Sequence, residues 1–415
     1  MKIDQIDIYL VRFPLAKPYT MADTRLDYFD TVLLRLRSNG LDGWGEVFPG
    51  NEPTLTAAWS SEVYECVREC LIPRFIKSPN IDSGEQIGAL FQDIKGNRHA
   101  KALFDLAWWD MYSRSKNEPL HKTLGGNTGK EIELGLSFDR FESPDAFLDD
   151  IKRAVSDGFK RITLKIRPGW DLQVLGAVRN NYPTQMIQCD VEGSLSLERH
   201  SDTIYRFDDF MPALLEQPLS SSEFVGHAML QDSIRTPICL DESITMPHQA
   251  EIALDLRSAG TFCLKPGKVG GLTDAKKIHN MAQSSEVDCY VGADIMTSIG
   301  YRFVAALSAL PYVTRPTDYV RFEELLTNDP GIPLKPVLKP EPVKPARHNP
   351  NRFEVHPNEN GEMVAERVTP YEGPNILADG KRLVIELWNE PGIGFEPNLK
   401  MIEQLTLRQY TWNGS

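Results

Sequence analysis

Five charged residues recur at an even spacing in the middle of the chain, each closing a short hydrophobic run. ITLK ends in Lys165, MIQCD in Asp190, ALLE in Glu216, ICLD in Asp241 and TFCLK in Lys265. Successive members lie about 25 residues apart, the length of one strand plus one crossover helix. A barrel built from such units brings its strand ends to one rim, so three carboxylates flanked by two lysines would converge there. Each acid alone reads as readily as a salt-bridge or helix-capping group. Three at matched spacing would repel one another and raise each other's pKa. A hard divalent cation with oxygen ligands, Mg²⁺ with Mn²⁺ as a substitute, relieves that repulsion.

An ordinary lysine, with a pKa near ~10.4, is a poor base at neutral pH, and partial burial beside a cation is expected to lower it toward ~7 to 8. Lys165 and Lys265 would then work on opposite faces of a ligand, one taking a proton from carbon and the other returning it or stabilising the anion. Removal of a proton next to a carboxylate gives an enediolate with two negative charges on oxygen, which a chelated cation stabilises. Reprotonation on the other face racemises; loss of a β-leaving group eliminates.

These residues need a scaffold. KIDQIDIYLVRF, TVLLRLRS, a turn at Asn39-Gly40 and a run through Trp44 and Glu46 predict a strand meander. The polar stretch from Lys17 to Asp30, with Tyr19, Thr20, Met21 and Arg25, reads as a lid or a surface excursion. Helical periodicity through Trp59, Val63, Val67 and Leu71 is expected to close at Pro73, and a second helix spans roughly Arg98 to Ser115. Within it Asp105 and Asp110 read as solvated or capping acids. From Glu131 the pattern turns to strand, helix, strand: ELGLSF, then a helix with Ser143 as N-cap and Pro144 at its first position, then the five runs above. DCYVGAD, ending at Asp294, is a seventh strand and the region of ALSALPYVT supplies a helix and an eighth. The fold class expected is α/β, a barrel with an α+β domain before it. Residues 1–127 would form the α+β domain, 128–329 the barrel, and 330–379 a proline-rich stretch and peripheral insertion. RLVIELW and the segment after it, 380–415, are expected to return and complete the first domain.

Composition narrows the function. At 415 residues the chain can bury a large core, and a net charge of −13 with no Lys/Arg block argues against nucleic acid as a partner. No apolar run is long enough to span a membrane, and MKIDQIDIYLVRFPL, with no apolar h-region or small-residue cleavage site, is expected to be a strand rather than a signal peptide. Six cysteines without a CxxC pair, four of them in barrel strands, point to reduced thiols in a cytoplasmic protein. The expected partner is a small-molecule carboxylate. A homo-oligomer is also expected, although no residue marks its interface.

GWGE at 43–46, RITLKIRPGWD at 161–171, LLEQPL at 214–219, CLDES at 239–243 and LKPGKVGG at 264–271 resemble the enolase superfamily. The likeness is to its muconate-lactonizing subgroup, above all o-succinylbenzoate synthases and N-succinylamino acid racemases. It implies a modified TIM barrel, (β/α)7β, with an α+β capping domain. It also implies metal ligation by Asp190, Glu216 and Asp241, and catalysis by Lys165, the second lysine of a Lys-x-Lys element, and Lys265. The Lys17–Asp30 stretch would match the loop that covers substrate, so Thr20, Met21, Arg25, Asp294 and Met296 become candidates for substrate contact. The chain departs from the pattern at Thr163, in place of the first lysine, at Glu192, in place of an asparagine, at Met296, in place of a glutamate, and at Tyr301, in place of an arginine. The activities implied are o-succinylbenzoate synthase or N-acylamino acid racemase, with dipeptide epimerase or muconate-type cycloisomerase as alternatives. Sugar-acid dehydration ranks lower because Val287–Asp294 contains no histidine. A catalytically inactive carboxylate-binding paralogue is the alternative of another class.

Overall fold

The computed structural model describes the chain except residues 22–23, 55, 79, 140–143, 342–352, 358–362, 368–380 and 415. Strands β1 (Gln5–Met21), β2 (Thr24–Ser38) and β3 (Leu41–Val47) form an antiparallel meander. Asn39 and Gly40 both take positive φ, 50° and 80°, the two-residue turn that the Asn-Gly pair favours. The stretch from Lys17 to Asp30 differs from the loop expected of it. After an irregularity between Pro14 and Tyr19 the two strands pair again, Tyr19 with Leu26 and Thr20 with Arg25, so it is the arm of a hairpin.

Helix Arg98–Ser115 lies across this sheet. The close approach explains the glycines of GWGE, because a Cβ on Gly43 or Gly45 would overlap the carbonyls of Ala107 and Leu103. Asp105 and Asp110 prove to be buried, 3% and 0% exposed. Asp110 accepts from Trp44 N (2.9 Å) and Ile393 N (2.8 Å), and Asp105 accepts from Thr273 N (3.0 Å) at the start of helix Leu272–Ser284. Solvation is therefore wrong for both and capping right only for Asp105; Asp110 satisfies backbone donors of β3 and of the C-terminal segment. Pro73 does not close its helix either. It follows a π-helical turn, Val67–Leu71, and the chain stays helical to Phe75.

The barrel strands are β4 (Ile132–Phe138), β5 (Arg161–Lys165), β6 (Met186–Asp190), β7 (Leu214–Glu216), β8 (Ile238–Leu240), β9 (Thr261–Leu264), β10 (Asp288–Val291) and β11 (Thr317–Asp318). All run parallel in sequence order. β11 pairs back onto β4, and Val313 just before it bridges to Cys289 of β10. Helices between the strands, Pro144–Asp157 among them, supply the outer layer; its predicted N-cap, Ser143, lies outside the described residues. This is the modified TIM barrel with its capping sheet.

Val337–Pro340 forms an edge strand, β12, and β13 (Phe353–Pro357) with β14 (Met363–Arg367) forms a hairpin of its own. The strand of RLVIELW, β15 (Lys381–Ile385), corrects an expectation. It pairs antiparallel with β4 and β12, on the barrel side, and only the last strand, β16 (Thr406–Asn413), joins the capping sheet, against β1. All six cysteines are free and the four in barrel strands are buried. No helix among the described residues is long and apolar enough to cross a membrane.

Candidate active site

Lys165, Asp190 and Glu216 end three adjacent strands and stand in register. Asp241 and Lys265 follow the last residues of β8 and β9. The five charges therefore meet at one rim. Lys165 Nζ donates to Asp190 Oδ2 (2.5 Å) and Glu192 Oε1 (2.8 Å). Across the acids, Lys265 Nζ lies 3.0 Å from Asp241 and 3.2 Å from Asp294. A third ammonium, Lys268, is bonded to the Asp241 carboxylate and carbonyl.

Burial sets the charge states. It pulls both lysines down, but Asp190 and Glu192 on Lys165, and Asp241 and Asp294 on Lys265, outweigh it, so each stands well above the usual lysine value. The carboxylates facing each ammonium thus oppose the lowering expected from the sequence, which a cation bound beside the lysines would supply. Burial raises Asp241 too, yet Lys265 and Lys268 hold it below the usual carboxylate range. Asp190 has Lys165 against burial and remains raised. Glu216 is driven well above its usual value by burial and then by Asp190 and Asp241. Glu242 is pushed up to about 8 by burial and the same two acids, and its Oε2 is buried without a partner. Glu192 also takes a positive φ of 50°, a conformation that asparagine tolerates better than glutamate.

Two other groups frame the rim. Arg167 binds Asp139 (2.8 Å) and reaches Glu192 (3.4 Å). From the capping sheet, Glu46 accepts from Thr297 N (2.9 Å), Thr297 Oγ1 (2.5 Å) and Gly300 N (2.8 Å) at the start of helix Ser298–Ser308. Burial raises Glu46 to about 7. That contact docks the sheet onto the loop carrying Asp294 and Met296. Both residues line a cleft beside Lys265 with Val47, Phe48 and His99.

The remaining predicted contacts divide. Thr20 and Met21 lie in the hairpin arm, but their side chains are outside the described residues. Arg25 is exposed and pairs with Asp27 (3.5 Å), so the structure does not bring it to the lysines. On the opposite strand of the arm Tyr19 is 39% exposed, and its phenol feels the charges of Lys165, Asp139 and Glu192, which puts it at the open side of the rim. Sequence reasoning missed Tyr19 as a site residue, and also Lys268, Gln188 and Tyr290. Strand alternation could have found Gln188, two residues before Asp190 and so on the same inward side. Nothing local marks Tyr290.

A metal would suit this donor set. Glu216, Asp241 and Cys263 bring one ligand atom each within 4.8 Å of one another, while Asp190 is turned to Lys165. Asp190 and Glu216, raised in part by their acidic neighbours, stand beside an ionised Asp241 and a Glu242 with a buried unpartnered oxygen, a donor set that suits hard-cation charge.

Fold and rim together define an enzyme: a parallel barrel whose strand-end acids and lysines are covered by an antiparallel cap. Residues 5–125 match the mandelate racemase / muconate lactonizing enzyme N-terminal domain, and residues 146–342 match the enolase C-terminal domain-like family. An o-succinylbenzoate synthase of Geobacillus stearothermophilus is 31% identical over 77% of this chain and 84% of its own. An N-succinylamino acid racemase of Thermus thermophilus is 29% identical over 77% and 85%. In fold, an enolase-superfamily member from Listeria innocua superposes with a TM-score of 0.82 at 24% identity, over 100% of this chain and 99% of that one. The chain belongs to the mandelate racemase / muconate lactonizing enzyme family of the enolase superfamily.

Proposed function

We propose that the protein removes the proton α to the carboxylate of a small substrate, in the manner of an o-succinylbenzoate synthase, an N-acylamino acid racemase, or both. The observation that carries this reading is the placing of two lysines on either side of an acidic centre, Lys165 against Asp190 and Lys265 against Asp241. Asp190, Glu216 and Asp241 would hold Mg²⁺, with Mn²⁺ as a substitute. Bound there, the cation supplies the positive charge that a developing enediolate needs.

The rest is done by the chain. Carboxylates hold each ammonium at a fixed position, so each lysine is oriented toward the centre from its own side. The lysine that has lost its proton takes the α-proton; the other keeps its proton and faces the opposite side of the carbon. If the second lysine delivers that proton, the centre inverts. If a β-hydroxyl leaves instead, taking up a proton from a lysine ammonium as its C–O bond breaks, the products are the alkene and water. Tyr19 on the hairpin arm would cover the bound molecule from above, and Glu46 keeps the cap seated. The names of the similar enzymes support both outcomes and leave the balance between them to measurement.

The test is α-proton exchange in D₂O with Mg²⁺, followed by NMR across a panel of N-succinylamino acids, beside dehydration of the cyclohexadiene precursor of o-succinylbenzoate. Turnover that is lost in both Lys165→Ala and Lys265→Ala is expected. No turnover on either kind of substrate, or turnover that survives both substitutions, overturns the reading.

A further inference from the structure

Beneath the rim, inside the barrel, lies a polar chain that the reaction does not touch. Arg161 on β5, Gln188 on β6 and Tyr290 on β10 point inward, and all are 2% exposed or less. Asp318 of β11 binds the Arg161 guanidinium. Arg161 Nη1 donates to Gln188 Oε1 (3.1 Å) and its guanidinium lies 4.4 Å from the centre of the Tyr290 ring. Gln188 Nε2 then donates to Glu216 Oε2 and to Tyr290 OH (3.1 Å), and Tyr290 OH donates to Glu216 Oε1 (2.5 Å).

The order of these contacts is forced by donor and acceptor chemistry. A guanidinium has only donors, so it fixes the oxygen of the Gln188 amide toward itself. The amide nitrogen must then face Glu216, which as a carboxylate has only acceptors. Both Glu216 oxygens are thereby held from below, one by an amide and one by a phenol. We propose that Gln188 and Tyr290 are positioning residues for the metal centre, holding Glu216 so that its free lone pairs face the cation it shares with Asp190 and Asp241. The inference rests on the metal reading above and adds which interior groups make Glu216 a competent ligand. Partners of this kind orient ligating carboxylates in metal sites generally, and losing one typically costs ~10- to 100-fold in metal affinity.

The experiment is a titration of the full chain with Mn²⁺, following unbound Mn²⁺ by electron paramagnetic resonance, so that no turnover is required. Tyr290→Phe keeps the ring and removes one oxygen; Gln188→Met keeps length and removes the amide. Each is expected to weaken Mn²⁺ binding ~10-fold or more, and the double variant by less than the product, because both act through one carboxylate. Cys239→Ala is the packing control: Cys239 shares an interior cluster with Leu214, Cys263 and Tyr290 and stands beside Glu216 in the β7–β8 ladder, but its thiol makes no hydrogen bond to that carboxylate. Its Mn²⁺ affinity is expected to match the parent's even if its melting temperature falls. If the parent binds no Mn²⁺, the metal reading fails. If the parent binds and both variants bind equally well, or Cys239→Ala loses as much as Tyr290→Phe, the positioning role fails and the metal reading stands. Should one variant not fold, the other decides.

Discussion

The two sides of the rim are alike in plan and unequal in charge. On each, a strand-end lysine is gripped by two carboxylates: Lys165 by Asp190 and Glu192, Lys265 by Asp241 and Asp294. On the β9 side a second ammonium, Lys268, shares Asp241 and keeps it ionised. On the β5 side no second ammonium shares Asp190 among the described residues: Thr163, two residues before Lys165, is 2% exposed and its hydroxyl has no partner. Glu192 adds an anion instead. With Arg167, which binds Asp139 and reaches Glu192, counted in, the β5 side sets two cations against three anions, Asp139, Asp190 and Glu192, while the β9 side pairs two with two. Proton transfer is expected to be less symmetrical than the geometry suggests, with Lys165 the harder of the two to bring to its neutral form.

The bluntest way to break the comparison is to delete either lysine. Lys165→Ala and Lys265→Ala should each lower α-proton exchange by ~10²- to 10⁴-fold, the usual share of a general acid or base. NMR in D₂O on both enantiomers of one substrate reads the result. Equal residual rates on both enantiomers in either variant would mean that the lysines do not serve separate faces. Next comes Lys268→Met, which leaves Asp241 with a single ammonium in a site where both partners are buried. Breaking a buried pair from one side costs about 3–5 kcal/mol, so a large fall in melting temperature is expected, and an unchanged melt would remove Lys268 from the account of why the sides differ.

The rim was legible in the sequence because its residues sit at strand ends, where spacing along the chain becomes position around the barrel. Lys165, Asp190 and Glu216 needed no knowledge of the fold beyond that period. What escaped was contact made across it. Tyr290 meets Glu216 only because β10 and β7 face one another through the barrel interior, with Gln188 of the neighbouring β6 bonded to both. The strand Lys381–Ile385 has a pattern that any open edge could accept, so its pairing with β4 rather than the cap had no local signal. Asp105 and Asp110 looked solvated because their partners, at Thr273 and Ile393, lie far along the chain. The carboxylates that hold each ammonium up were equally out of reach, since their count is a property of the assembled rim.

Smaller effects test the charge difference itself. Thr163→Lys would give the β5 side a second ammonium beside Lys165, as Lys268 is beside Lys265. Lys165 acts as a base only when neutral, and Asp190 and Glu192 now hold its pKa up. An added cation lowers it, so the limb of the pH–rate profile governed by Lys165 should move to lower pH, with a gain near neutral pH of about tenfold. The limb governed by Lys265 should stay in place. Movement of both limbs would point to a general field rather than a local imbalance.

Glu192→Asn is the mildest change and the sharpest. It removes one of the two anions on Lys165 while Asp190 still holds the ammonium at 2.5 Å, so the Lys165 limb should shift the same way as in Thr163→Lys but less, with a gain of roughly a few-fold. Arg167 keeps Asp139 at 2.8 Å and is not stranded. The backbone adds a second expectation of opposite character to an ordinary loss of contact. Glu192 sits at φ 50°, where asparagine is favoured over glutamate, so the variant should melt no lower than the parent even though it gives up two charged hydrogen bonds. A lower melt would make the Lys165–Glu192–Arg167 bridge a support of the fold. An unchanged melt with a shifted limb would leave Glu192 as the residue that makes the two sides of the rim unequal.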